Sequence, residues 1–425
     1  MTQIVLKQAT LASGEIVDIK IADGKIAEIG ELPDPGLDCS GLRAFPGFVD
    51  VHTHLREPGF EASETILTGS KSAAAGGYTA VCSMANTMPV SDTAELVEEV
   101  LDLGVAAGYV QVQPIGAITK GLQGQELSEI AAMADSRAEV KIFSDDGFCV
   151  TDDAVMERAL VEVAKHGGVI AQHPQDHALT PGAQMNEGAL ATELGLVGWP
   201  PFAEQRIIER DAQLAKKHGA RIHVCHLTTA GSVEIVKKAK AEGVLITAEV
   251  TPHHLLLTEE LVRTFDPVYK VNPPLRTLAD TKALQEALID GTIDVVGTDH
   301  APHSAEKKEC EWDAAAFGMV GLENAASVVQ QVLIESGQSN WERFQEVMST
   351  RPAKLAGLQN QGEIAIGKEA NLTLIDPAAR REIKSRTHSK SANNPFAGVV
   401  LPGAVVHTIY RGVFTVKAGE LVNFG

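Results

Sequence analysis

Between residues 47 and 356 the chain alternates short apolar runs with stretches of helical period. Runs near 48–53, 78–84, 110–116, 139–144, 168–172, 221–226, 245–250 and 293–298 are short and rich in β-branched residues, which predicts strands. The stretches 92–107, 153–165, 204–217, 232–242 and 280–289 repeat apolar positions every three or four residues, which predicts helices between the strands. Gly77, Gly167, Gly219, Gly243 and Gly291 stand just past helix ends, where a left-handed cap is wanted. Eight such alternations predict a (β/α)8 barrel; an open doubly wound sheet is the alternative, but no G-x-G-x-x-G follows an early strand. Outside the barrel the style changes. Short alternating segments at 4–6, 16–19 and 25–29, and again at 370–376, 405–412 and 413–416, are separated by Gly-containing turns. Neither end holds enough strands for a stable sheet, so residues 1–46 together with 357–425 are expected to form one small β-sandwich domain beside a barrel of residues 47–356.

A barrel presents its chemistry at the C-terminal tips of its strands. The first strand ends in His52-Thr53-His54, and side chains two apart on a strand point the same way, so both imidazoles can aim at one point. The fourth ends in Asp145-Asp146, the fifth in His173, the sixth in His226 and the eighth in Asp299-His300. Four imidazoles and two carboxylates converging on one rim call for a cation. They exceed the ligand set of one tetrahedral zinc, so two ions sharing a bridging carboxylate fit better.

Composition narrows the reading further. Lys and Arg number 36 against 56 Asp and Glu, a formal net charge of -20, which argues against a nucleic-acid surface. Cys39, Cys82, Cys149, Cys225 and Cys310 are odd in number, scattered and without a C-x-x-C pair, which fits a reducing, cytosolic home. The N-terminus lacks a signal pattern, and no apolar run approaches about 18 residues, so neither secretion nor membrane insertion is expected.

Six runs carry a family resemblance: His52 through Gly59 (His-Thr-His-Leu-Arg-Glu-Pro-Gly), Phe-Ser-Asp-Asp-Gly at 143–147, Val-Cys-His at 224–226, Ala-Glu-Val-Thr-Pro-His-His-Leu-Leu-Leu at 248–257, Asn-Pro-Pro-Leu-Arg at 272–276 and Thr-Asp-His-Ala-Pro-His at 298–303. Over essentially its whole length the chain resembles the bacterial class I dihydroorotases of the amidohydrolase superfamily. The resemblance implies a binuclear zinc enzyme, with two Zn2+ per chain, that interconverts N-carbamoyl-L-aspartate and L-dihydroorotate in pyrimidine synthesis. It puts His52, His54 and Asp299 on the first ion, His173 and His226 on the second, and Asp146 between them, with Asp145 as the competing bridge. Many related barrels use a carboxylated lysine here, but Lys141 lies upstream of the strand tip and reads as structural.

Substrate contacts follow from that reading. Arg56, two past the metal histidines, is placed for a bidentate contact with the substrate carboxylate, and Asn86 can add an amide donor. His54 borders the substrate as well, and the resemblance adds Asn272 and His303. Asp299 is the expected proton carrier, a helix N-cap being its bland alternative. The charged stretch 304–318 is expected to be a long loop acting as a lid, with Phe317 and Gly318 closing on the substrate ring. This sequence departs from the family pattern at Ala85, where proline is usual, at Met88, where arginine is usual, and after His173, where Pro-Gln-Asp replaces Cys-Glu-Asp. His253 and His254 read as structural or supporting, His166 and His218 as helix C-terminal residues, Cys225 as a buried strand residue, and His177, His223, His388 and His407 as lacking convergent partners. The alternatives are a hydantoinase, dihydropyrimidinase or allantoinase, which would leave Arg56 without a purpose, and a non-catalytic scaffold, which would have lost its ligands. An aspartate transcarbamoylase partner is a family-based possibility, as is a homodimer.

Overall fold

The computed structural model describes residues 3–423. Eight parallel strands form the barrel. Phe48–Thr53, Tyr78–Ser83 and Gln111–Pro114 pair in order, as do Ile142–Phe143, Val169–Gln172, Ile222–Val224, Ile246–Val250 and Val295–Val296. Parallel bridges from Gly116 to Phe143 and from Thr53 to His300 close the ring. The fourth and eighth strands are shorter than their apolar runs predict. Glu139 takes a left-handed backbone (φ 45°) inside the expected fourth run, which delays the start of that ladder.

Several of the helices between strands begin at side-chain caps. Thr93 accepts from the Leu96 N–H, Asp152 from Val155 and Thr229 from Ser232, while Thr277 and Asp280 form a reciprocal capping box. Gly77, Gly167, Gly219, Gly243 and Gly291 all have positive φ, as helix-end glycines require. Between Val169–Gln172 and the helix Phe202–His218 the chain makes an excursion that the periodicity does not reveal, with a two-stranded parallel ladder of Met185–Asn186 and Gly198–Trp199.

The chain ends meet in one nine-stranded sheet, joined where Leu372–Ile375 pairs antiparallel with Arg43–Pro46. Leu6, Ile19, Ile21 and Ile26 from one end pack with Leu372, Leu374 and Ile409 from the other, so each end supplies the apolar face the other must bury. Phe45 leads from this sheet into the barrel, its ring 5.1 Å from Phe344, while Phe48 lies 5.9 Å from Tyr78. No helix among the described residues is long and apolar enough to cross a membrane.

Candidate metal centre

Asp146 lies at the middle of the barrel mouth, buried, with four imidazole nitrogens around its carboxylate. Its Oδ2 is 3.3 Å from His54 Nε2. Its Oδ1 is 3.5 Å from His52 Nε2, 3.3 Å from His173 Nδ1 and 3.4 Å from His226 Nε2. Asp299 Oδ1 completes one side, 3.0 Å from His54 Nε2 and 3.5 Å from His52 Nε2. The six side chains that the strand tips pointed to are therefore brought together. Asp145, one residue earlier, faces away. It accepts from the Ile118 N–H at 2.7 Å, the Thr119 N–H at 3.0 Å and the Thr119 hydroxyl, which spends it on the loop after the third strand.

This donor set suits divalent cations. His52, His54 and Asp299 form one group that could hold an ion, and His52, Asp146 and His226 another, with ligand atoms within 4.8 Å of one another in each. His52 Nε2 is buried without a hydrogen-bond partner, an orphaned lone pair that a cation would use. The far nitrogens of three rings are held, as ligand imidazoles require. Glu249 Oε1 takes His52 Nδ1 at 2.5 Å, Asn86 Oδ1 takes His54 Nδ1 at 2.9 Å and Gln175 Oε1 takes His173 Nε2 at 2.9 Å. A third group, His52 with Cys225 and Glu249, fits poorly. Burial pushes the Cys225 thiol far up, so it stays protonated, and Glu249 is spent on His52 Nδ1.

Without cations the charges balance among the side chains. Burial opposes a charged His52, but Glu249, Asp146 and Asp299 outweigh it and raise its pKa. Burial also works against the ionised carboxylates, yet His52 and its neighbours pull Asp299 down to about 2 and Asp146 well below the usual range. Three residues of the rim, Arg56 (φ 64°), His226 (φ 32°) and Asp299 (φ 46°), hold left-handed backbone that only a well-packed surround sustains. Asp50 supplies part of that surround, its carboxylate accepting the His52 N–H at 3.0 Å and the Thr298 N–H at 3.1 Å.

The expected substrate contacts ring the same opening. Burial lowers Arg56 to about 10, with Asp299 and Asp146 opposing the fall, so it stays cationic at neutral pH. Its Nε donates to Pro302 O at 3.2 Å and Nη2 lies 3.5 Å from His303 Nε2. Burial, and then Arg56, depresses His303 to about 3, and its Nε2–H donates to Phe317 O at 2.7 Å. Asn272 donates to Gln175 Oε1 at 3.3 Å and leaves its own Oδ1 buried and unpaired. The Gly318 N–H is engaged by Lys270 O at 3.0 Å.

The stretch 304–318 is not a free charged loop: it contains the helix Ala305–Lys308, and Lys308, Trp312 and Ala315 are buried. Lys308 Nζ donates to Lys270 O at 2.8 Å and Ala316 O at 2.9 Å, and Lys270 Nζ to Trp312 O at 2.6 Å. Lysines turned inward onto carbonyls hold the segment down. His223 has convergent partners after all, Thr247 Oγ1 at 2.8 Å and Glu249 Oε2 at 3.1 Å, which makes it the brace behind Glu249. His177 bonds Phe148 O, His388 lies 3.3 Å from Glu323 Oε2, and His407 Nδ1 accepts from the Ala418 N–H at 3.2 Å. Glu249, Gln175 and Asp50 escaped the sequence reading. Glu249 left one signal, the single charged residue in the strand Ile246–Val250.

Known proteins carry the same architecture. The dihydro-orotase-like family pattern matches residues 42–232. A dihydroorotase of Leifsonia xyli is 55% identical over 99% of this chain and 97% of its own length, and one of Streptomyces coelicolor 53% identical over 99% and 100%. Among solved structures, an L-hydantoinase (dihydropyrimidinase) from Arthrobacter aurescens superposes with a TM-score of 0.88 at 27% identity, covering 100% of this chain and 98% of that one. The (β/α)8 barrel with a sheet built from both termini is thus a shared fold, and with more than half of its residues identical to a dihydroorotase along nearly its full length, the chain belongs to the dihydroorotase family.

Proposed function

We propose that this chain is a dihydroorotase that closes N-carbamoyl-L-aspartate to L-dihydroorotate and opens the ring again, using two zinc ions at the barrel mouth. The observation that carries the reading is the place of Asp146, with one carboxylate oxygen toward His54 and the other toward His52, His173 and His226. His52, His54 and Asp299 would hold one ion and His173 and His226 the other, with Asp146 placed to serve both. All six ligands come from this one chain, so the site calls for no partner subunit. Bound there, divalent cations lower the pKa of water toward about 7 and polarise a carbonyl oxygen.

The chain's own residues do the rest. Asp299 takes the proton from the attacking water and returns it to the ring nitrogen as the amide bond breaks. In the biosynthetic direction the same carboxylate takes a proton from the carbamoyl nitrogen as it attacks, and water leaves. The Arg56 guanidinium, with Nε pinned on Pro302 O, turns its remaining N–H groups to the substrate carboxylate. Neutral His303, whose Nε2–H is spent on Phe317 O, keeps a lone pair on Nδ1 for a substrate N–H. Asn272 offers its unpaired Oδ1 to the same amide edge, while Asn86 steadies His54. Phe317 and Gly318 border the ring, the Gly318 N–H being already engaged by Lys270 O.

Residues 47–356 form the proposed catalytic barrel and residues 1–46 with 357–425 one composite unit, supported by the antiparallel join of Arg43–Pro46 to Leu372–Ile375. A cytosolic location is proposed as well, which five unpaired cysteines suit. Protein stripped with a chelator and reloaded with zinc is expected to recover ring opening of dihydroorotate, with hydantoin and allantoin at least about a hundredfold slower, since both lack the carboxylate that Arg56 meets. Faster turnover of hydantoin would move the chain to that activity, and no turnover by zinc-loaded protein would leave a scaffold.

Glu249 offers a separate check. Glu249→Gln should weaken zinc binding about 10- to 100-fold, because His52 then loses a charged acceptor behind its ligating nitrogen. Competition against a chelator measures this, and unchanged affinity would remove Glu249 from the account.

A further inference from the structure

Between the long strands Leu372–Glu382 and Val400–Tyr410 the chain leaves the terminal sheet, its neck tied by the Ile383 N–H to Val399 O and the Gly398 N–H to Ile383 O, both 2.9 Å. The loop crosses to the barrel mouth. There Asn393 Nδ2 donates to Ala301 O at 3.0 Å and Gly318 O at 3.1 Å, and its Oδ1 accepts the His303 N–H at 3.3 Å. Ser391 Oγ donates to Ser63 O at 2.6 Å. None of this is needed to complete the terminal sheet.

The loop's deepest contact is with Glu64, which is wholly buried. Oε1 accepts the Lys390 N–H at 2.9 Å and the Thr68 hydroxyl; Oε2 accepts the Ser389 hydroxyl and His300 Nε2 at 3.3 Å. Four donors fill the carboxylate. The Gly321 N–H meets His300 Nδ1 at 3.3 Å, so Nδ1 is the acceptor and Nε2 carries the hydrogen that Glu64 receives. His300 is itself fully buried and its backbone is tied on both sides: its N–H donates to Thr298 Oγ1 at 3.1 Å and its carbonyl accepts the His54 N–H at 2.9 Å. It follows Asp299, whose left-handed backbone has no glycine to relieve it. The ring of His300 is thus a peg, gripped at both nitrogens, that fixes the turn carrying Asp299 and the backbone of His54.

We infer that the 383–398 loop is a positioning element for the reaction, and that Glu64 is its positioning residue, acting through His300 to hold Asp299. The inference rests on Asp299 as proton carrier. Glutamine at 64 has only one oxygen for the four donors and sets an amide N–H2 against two of them. In the full-length zinc-loaded enzyme, Glu64→Gln is expected to lower kcat by at least tenfold while KM stays within about twofold and metal content is unchanged, because proton transfer is sensitive to a small misplacement of the carboxylate. Ser389→Ala, which removes one donor at the loop, should lower kcat about threefold. The double variant should fall no further than Glu64→Gln alone, because both changes break one chain of contacts.

Wild-type kcat in Glu64→Gln well below its melting temperature, with only the melting temperature reduced, would overturn the inference, as would loss of metal. Should Glu64→Gln fail to fold, Ser389→Ala decides: a lower kcat at constant KM supports the role and an unchanged kcat overturns it. Asp299→Asn separates the underlying reading. If it keeps wild-type kcat, the proton-carrier assignment fails; if it is inactive while Glu64→Gln is normal, only the positioning inference fails.

Discussion

Replacing Asp146 by alanine is expected to lower kcat for ring opening at least about a thousandfold, equal to ~4 kcal/mol of transition-state stabilisation, and to yield folded protein with at least one ion missing. The size follows from its position. Its two oxygens face four imidazole nitrogens at 3.3 to 3.5 Å, so its loss takes the shared ligand from both sides and leaves histidines to repel one another. Asp145→Ala should behave oppositely. It orphans the Ile118 and Thr119 N–H groups and the Thr119 hydroxyl, at about 1–3 kcal/mol of stability for each buried donor left unpaired, yet keeps both ions. Elemental analysis and thermal melting of the two variants, side by side, measure the contrast. Full metal content in Asp146→Ala with depletion in Asp145→Ala would reverse the assignment.

Asp299→Asn is the second large effect, about 100- to 10,000-fold in kcat, because the amide keeps the shape but cannot carry a proton. KM should change little, since Arg56, Asn272 and His303 are untouched. Burial disfavours the ionised form of Asp299, and in the cation-free site His52 and His54 overcome it; the carboxylate is expected to remain unprotonated and ready to accept through the neutral range in the loaded enzyme as well. Steady-state kinetics over pH test this directly. A variant within tenfold of wild type would assign the proton to another group.

The strand tips were legible because a barrel aligns them and because His-x-His, Asp-Asp and Asp-His are unusual endings for apolar strands. The barrel itself followed from period and spacing. What stayed hidden depends on neighbours distant in sequence. Glu249 holds His52 across 197 positions and Asn86 holds His54 across 32, and local pattern names neither partner, although a charge in the strand Ile246–Val250 marks Glu249 as unusual. His223 read as solitary because its partner sits on the adjacent strand. Lys308 belongs to a stretch that reads as a charged loop, whereas inside the fold backbone carbonyls receive both it and Lys270. The 383–398 loop reads as part of the terminal unit, and only its contacts with Glu64 and His303 tie it to the rim. The fourth barrel strand was overdrawn at its start, where left-handed backbone at Glu139 interrupts extended chain inside the apolar run.

A crystal of the zinc-loaded protein, measured at the zinc absorption edge, tests the central claim most directly. The account predicts two anomalous peaks about 3.5–4 Å apart on either side of the Asp146 carboxylate, one within ligand reach of His52, His54 and Asp299 and the other of His173 and His226. A single peak, or a pair that leaves Asp146 uncoordinated, would contradict it.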